Sequence, residues 1–325
     1  MRTFGALREK IRYVYAEHSA LLDFLGRLAS ALMVFFIIRT MTGYHVFLSE
    51  PLVLVVFAFV AALMPSGALA VFAACLTVAQ AFAADPMAAG VALAVFLVLY
   101  LLFLRFAPGE GVVLALTVVS LYFSMAPFMP LITGLRRRMK ALVPMLSGAV
   151  VYALLNMLHR LPEVLAPFEK NDYMNRLTAM TRAVFTDELV ILLAAMAASF
   201  VFVHASSGMA ASYAPYLAVP GGGIIYLGFI LIGALVTKTS APVAAEAVAA
   251  GAAVFAALLL ALFLYPLRYK KSEYLRFEDD AYFYYVKAVP KAVVTAFDEE
   301  DEEDEDDEDE TEYPGEAGPL RRMKM

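Results

Sequence analysis

Residues 247–265 read AVAAGAAVFAALLLALFLY, nineteen positions without a single charge. A helix over them rises about 28 Å, close to the roughly 30 Å hydrocarbon core of a bilayer. Such a helix is apolar on every face, unlike the half-polar helix of a soluble surface. The stretch therefore reads as a membrane span. Residues 28–38 and 91–104 are uncharged in the same way. Over the whole chain 62% of residues are hydrophobic and 17% charged, against roughly 45–50% and about 25% in soluble domains. The fold class that follows is all-α: a polytopic α-helical integral membrane protein.

The charge is distributed just as unevenly. Residues 298–310 read DEEDEEDEDDEDE, thirteen consecutive carboxylates. From 298 onward the chain carries a net charge of −12, and the preceding 297 residues carry +6, which together give the overall −6. The hydrophobic body is thus mildly basic, as suits a protein whose inner rim faces anionic lipid. The acidic run has too few apolar groups to offset the entropy of ordering, so it is expected to be disordered. Four regions result: an amphipathic cytoplasmic segment (1–20), a transmembrane helical domain (21–266), a cytoplasmic basic and aromatic segment (267–297) and the acidic tail (298–325).

Nine apolar segments are apparent, at about 21–41, 51–64, 66–84, 87–105, 111–134, 141–158, 187–204, 211–236 and 241–265. Bases flank both ends of the set: Arg2, Arg8, Lys10 and Arg12 before it, Arg268, Lys270, Lys271 and Arg276 after it. The positive-inside rule puts both ends in the cytoplasm and demands an even number of crossings. The cluster Arg136, Arg137, Arg138 and Lys140 should face inward too. About eight crossings satisfy this if 51–64, only about 21 Å of helix, is re-entrant. Ten result if 51–64 crosses and Pro127 with Pro130 folds 111–134 into a hairpin. In either case residues 160–186 lie outside, although they carry four bases.

Helix-breaking residues recur within the apolar stretches: Pro65-Ser66-Gly67, Pro127 with Pro130, and Pro220-Gly221-Gly222-Gly223. Glycine costs about 1 kcal/mol and proline about 3 kcal/mol relative to alanine in a helix. Discontinuous helices in hydrocarbon must line a wet cavity or lie inside protein, and in transporters they mark the binding site. Pro220, Gly221, Gly222 and Gly223 are therefore candidate path residues, with a packing kink as the alternative. Glu246 is the candidate carrier of a proton or cation, since an acid within a span is a functional hypothesis by default. It shares a helix face with Ala249, Ala250, Ala253 and Ala257, but also lies near a predicted span end, where it could reach headgroups. Thr77 and Gln80 share one face of the 66–84 helix. They are further path candidates, unless an interhelical hydrogen bond employs them.

Other chemistry finds little support. The single cysteine, Cys75, excludes an intrachain disulfide, and the four histidines have no second ligand at metal spacing. His204-Ala205-Ser206-Ser207-Gly208 sits in an expected turn and lacks the third group that a nucleophilic serine requires. Neither a phosphate-binding loop nor a dinucleotide fingerprint is present. No enzyme activity, cofactor, metal or nucleic-acid partner is expected, and an ATP-driven process would need a separate ATPase subunit.

Beyond the last span, residues 277–291 read FEDDAYFYYVKAVPK. Their aromatic and β-branched content favours an extended segment. This stretch resembles a family of multi-pass membrane proteins from anaerobic Gram-positive bacteria, which carry FEDD-x-Y-aromatic-YYVKAVPK directly after the final span. The resemblance implies a bacterial cytoplasmic membrane and assigns no activity. Two functions are expected from the whole. One is a transporter-like protein or permease subunit. The other is a membrane scaffold whose tail recruits a basic cytosolic protein, with Tyr282, Tyr284, Tyr285, Asp298, Glu299, Glu300 and Asp301 as contact candidates.

Overall fold

The computed structural model describes residues 18–65, 67–136, 139–169, 171–209, 214–237, 243–264, 273–278 and 283–288. The chain divides into two compact units, Met1–Tyr265 and Pro266–Met325. The described residues of the first unit are helices joined by short turns. In chain order these are α1 (Ser19–Met41), α2 (Pro51–Leu63), α3 (Ala68–Ala84), α4 (Pro86–Leu99), α5 (Gly111–Tyr122), α6 (Phe128–Leu135), α7 (Leu142–His159), α8 (Leu161–Leu165), α9 (Tyr173–Val184), α10 (Asp187–Ser206), α11 (Ala214–Thr237) and α12 (Val243–Leu264). Five stretches are long and apolar enough to cross a membrane: Ala20–Met41, Pro86–Leu104, Met139–His159, Tyr173–Ser206 and Ala214–Thr237. Four shorter apolar helices accompany them.

Local sequence accounts for the helix boundaries. The Asp85 carboxylate accepts from the Met87 N–H at 2.8 Å and Pro86 occupies the first turn, so α4 starts capped. Thr186 caps α10 through Leu189 N–H, with Asp187 and Glu188 in the first turn favoured by the helix dipole. Pro51 occupies the first turn of α2, as Pro86 does in α4, without a side-chain cap. At its far end α4 continues into a π-helical turn, Tyr100–Leu104.

Contacts fix the direction of each helix. At one end of the bundle, Phe24 near the start of α1 meets Phe59 of α2, with ring centroids 5.8 Å apart. Gly67, before α3, abuts Pro108, and Gly111 at the start of α5 abuts Ala70. At the opposite end the Thr40 hydroxyl of α1 lies 3.3 Å from the Tyr122 phenol of α5. Nearby, Nδ1 of His159 lies 3.0 Å from the Met41 carbonyl. Helices α1 to α4 thus alternate, α7 runs with α1, and α10, α11 and α12 alternate again. The start of α1 and the end of α12 lie at the same end, called here the first end.

Two groups of helices share the first unit. A large buried cluster joins α1–α5, the C-terminal half of α7, and α8 and α9, around residues such as Phe35, Ile38, Phe96 and Leu154. Two smaller clusters join α6, the start of α7, and α10–α12, around Met145, Phe200, Tyr226 and Ala257. Helices α5, α6 and α7 form the seam between them.

Three expectations are corrected. Pro220–Gly223 does not break its helix: α11 runs unbroken from Ala214 to Thr237 with Pro220 inside it. The three glycines instead flatten a packing face, and the contacts they permit outweigh the intrinsic penalty of glycine and proline. Residues 51–63 do not turn back; α2 is a single helix antiparallel to α1. The fold-back lies at 111–135, where α5 and α6 form a hairpin. His204 and Ser206 belong to the last turn of α10 rather than to a turn between helices.

In the second unit, β1 (Glu273–Glu278) pairs antiparallel with β2 (Phe283–Ala288), in a register running from Glu273 opposite Ala288 to Glu278 opposite Phe283. The segment 277–291, read as extended from composition, holds the end of β1 and the whole of β2, and its other residues lie outside the described ones. Tyr284 and Tyr285 lie in β2. Tyr282, Asp298, Glu299, Glu300, Asp301 and the rest of the acidic run fall outside the described residues, as does most of the 1–20 segment.

Candidate functional site

The feature with most potential for function is the α5–α6 hairpin. Helix α5 begins beside α3 at the first end and rises past Gly148 of α7, where a Cβ would lie 2.6 Å from Thr117. It ends at Tyr122, level with Thr40. Ser124 then takes a left-handed backbone, φ 59°, which is uncommon for a residue with a Cβ. The chain turns through Met125 and descends as α6. Every residue from Met129 to Leu135 is buried. Gly134 packs on α10, where a Cβ would lie 2.9 Å from Val203. The Thr133 hydroxyl donates to its own helix at Met129 and touches the Met145 sulfur at 3.5 Å.

The hairpin tip leaves backbone groups over. Phe123, Ser124 and Met125 N–H groups bond back to Val119, Leu121 and Ser120 carbonyls, and Phe128 N–H bonds to Met125. The carbonyls of Tyr122, Phe123, Ser124 and Ala126 accept no hydrogen bond among the described residues. For Ala126 the reason is covalent: its helical donor would be residue 130, a proline without an N–H. Phe123 and Ser124 are exposed, whereas Ala126 and Pro127 are buried. The tip is therefore open on one side and seated on protein on the other.

Around it lies a layer of polar contacts. Tyr44 donates to the Leu158 carbonyl at 2.7 Å, and burial pushes its phenol above the ordinary value, keeping it a donor. Farther along, Arg176 of α9 pairs with Asp85, joining α9 to the α3–α4 junction. Their side chains are only 10% and 15% exposed, so this pair is largely withdrawn from water.

The residues expected to line a path are dispersed. Gln80 is fully buried; its carbonyl accepts from His45 N–H at 2.7 Å and its amide donates to Ser49 at 3.0 Å. It clamps the 3-10 turn Phe47–Ser49 to α3. Thr77, also buried, donates to Ala73 of its own helix. Both sit in the α1–α5 group, whereas Glu246 and 220–223 sit in the α10–α12 group. There the glycines form a tight interface. A Cβ on Gly221 would lie 2.6 Å from Phe202, on Gly222 2.4 Å from Val203, and on Gly223 2.4 Å from Val254. The Ser199 hydroxyl donates to the Gly222 carbonyl at 2.9 Å across the same interface.

Glu246 stands half-buried in the first turn of α12, above a buried stripe of Ala250, Ala253, Ala257 and Ala261. Its charge acts on the phenol of Tyr226, a side chain only 1% exposed. Ser206 and Ser207 donate to Phe202 and His204 carbonyls, which leaves them helix-capping roles. His204 stacks on Phe200, with its Nδ1 buried and unpartnered. No group of three or more His, Cys, Asp or Glu side chains suited to a metal occurs among the described residues.

Sequence reading singled out Glu246 and did not name Tyr226, Tyr122 or the tip carbonyls. One signal was available: a proline at 130 orphans the carbonyl four residues earlier. No protein-family model, curated protein or solved structure matches this chain.

Proposed function

We propose that this protein is a permease-like carrier of the bacterial cytoplasmic membrane, with both termini inside. The observation that supports it most is the broken, buried hairpin α5–α6, set in the seam between two helix groups. Hydrocarbon tolerates non-helical backbone only where protein or water takes up its polar groups, and carriers use such breaks as binding sites. Two groups joined along a seam have the architecture needed for one to rock against the other.

The topology proposed has eight full traverses, α1–α4, α7 and α10–α12, with the hairpin as an additional pair that returns to its starting end. That count is even whether or not the hairpin is included. Charge supports the orientation. Arg105, Arg136 and Lys140 lie at the first end, with the N-terminal bases adjoining in sequence. Opposite them, Asp85, Glu163, Glu169, Asp172, Asp187 and Glu188 offset the bases of 160–186. Arg176 is already neutralised by Asp85.

A direct test is flux through purified protein in liposomes carrying entrapped pH- and sodium-sensitive dyes. Gradient-driven ion movement is expected, and Glu246→Gln should reduce it. Silent wild-type liposomes, with Glu246→Gln fully functional in cells, would overturn the carrier reading.

A scaffold role is favoured by one separate observation, the hairpin β1–β2. A lone two-stranded sheet is marginal in water, so a docking surface for it is a reasonable need. The adjoining thirteen carboxylates would draw a basic cytosolic protein, or a separate ATPase subunit with a basic face.

A further inference from the structure

We propose that the tip of the α5–α6 hairpin and the Glu246 carboxylate together bind one monovalent alkali cation of the size and hardness of Na+. This inference rests on the carrier reading and names the ion that would drive it.

The donors are all hard oxygens. Carbonyls of Tyr122, Phe123, Ser124 and Ala126 accept no hydrogen bond among the described residues. The first two close the C-terminal end of α5, where the helix dipole concentrates negative potential. Carbonyl, carboxylate and hydroxyl oxygens suit hard cations rather than transition metals.

The two halves of the site lie in one neighbourhood. Ala126 of the tip, Tyr226 of α11 and Ala250 of α12 belong to a single buried cluster. Glu246 is one turn from Ala250 on the same helix face, toward the end of the bundle where the tip lies. The Tyr226 phenol is within the electrostatic reach of that carboxylate. It makes no hydrogen bond among the described residues and is therefore a further candidate oxygen.

Charge selects the valence. Glu246 is the one acid on α12, and the described residues of α5, α6 and α11 carry no other; Asp187 and Glu188, at the same end, sit in the first turn of α10, where that helix's own dipole holds them. One half-buried carboxylate balances one positive charge at a tip seated on protein on one side. A divalent ion would retain an uncompensated charge, which is unfavourable at low dielectric. The left-handed Ser124 fits the same picture, because it turns consecutive carbonyls out of the helical ladder. Strained backbone of this kind concentrates at ligand sites.

The test uses full-length protein in detergent, followed by thermal unfolding as NaCl replaces choline chloride at constant ionic strength. A saturable rise in Tm is expected. Half-saturation should weaken by about tenfold or more in Glu246→Gln, the loss of roughly one charged ligand, and by less in Tyr226→Phe. Saturation by K+ or Li+ with the same dependence on Glu246 would also support the site and set its size. Equal Tm in choline and sodium would overturn it, as would an unchanged half-saturation in Glu246→Gln. Ca2+ saturating below Na+ would overturn the monovalent assignment. Both substitutions preserve side-chain shape; should either variant fail to fold, the wild-type ion series alone still decides. Binding is read without transport, so silent liposomes beside an intact sodium shift would sink only the carrier.

Discussion

Gly222 has no room for even one methyl group. A Cβ there would fall 2.4 Å from Val203 and 2.7 Å from Leu131, both packed on all sides. Gly222→Ala should therefore destabilise the protein by about 1–3 kcal/mol through overpacking, measured as a fall in Tm in detergent. By contrast Gly228, which meets nothing within 4 Å, should accept alanine with little change. Ser199→Ala removes the hydroxyl that crosses to Gly222 and should cost about 0.6–2 kcal/mol. At this scale the sequence was partly legible. The small-residue stripe under Glu246 was visible from its spacing, and Ala250, Ala253 and Ala257 are indeed buried. The glycines after Pro220 were misread because propensity is a local quantity. What decides their conformation is Val203, Phe202 and Val254, on other helices, whose approach rewards the missing side chains.

Among the elements, the hairpin makes the sharpest claim. In a Cys75→Ala background, Ser124→Cys should react with a membrane-impermeant maleimide added outside intact cells. Arg136→Cys should react only after the membrane is opened. Equal labelling of Arg136→Cys from outside would show that 111–135 crosses once instead of folding back. The two prolines signalled a break at this place, yet they could not give its geometry. A kinked single span and a hairpin have the same composition. The distinction lies in contacts such as Tyr122 with Thr40 and Thr133 with Met145, which join positions far apart in the chain. At 51–63 a short apolar run suggested a re-entrant segment, and the structure has a single helix there. Length alone could not show that it lies antiparallel to α1 as far as Phe24.

For the whole molecule, removing residues 298–325 separates the two functional readings. A carrier should retain most of its flux, measured in liposomes; a scaffold should lose capture of its basic partner. The helices long and apolar enough to cross a membrane were legible from hydropathy alone, because apolar runs of this length have few other uses. The seam between helix groups was not, since it depends on which apolar faces meet. The buried pair of Asp85 and Arg176 bears on the same scale. Arg176→Ala should destabilise the protein by about 3–5 kcal/mol, because it strands a carboxylate away from water. A paired Asp85→Asn, Arg176→Met variant should lose less. The partners are 91 positions apart, and this separation governs the order of assembly. While the ribosome is still making α4 to α8, the carboxylate at 85 lacks this counter-ion, and α1 to α3 are held by their apolar faces and the Gln80 clamp alone. Only when α9 emerges is the knot drawn, so maturation of the amino-terminal helices must wait for a segment made long after them.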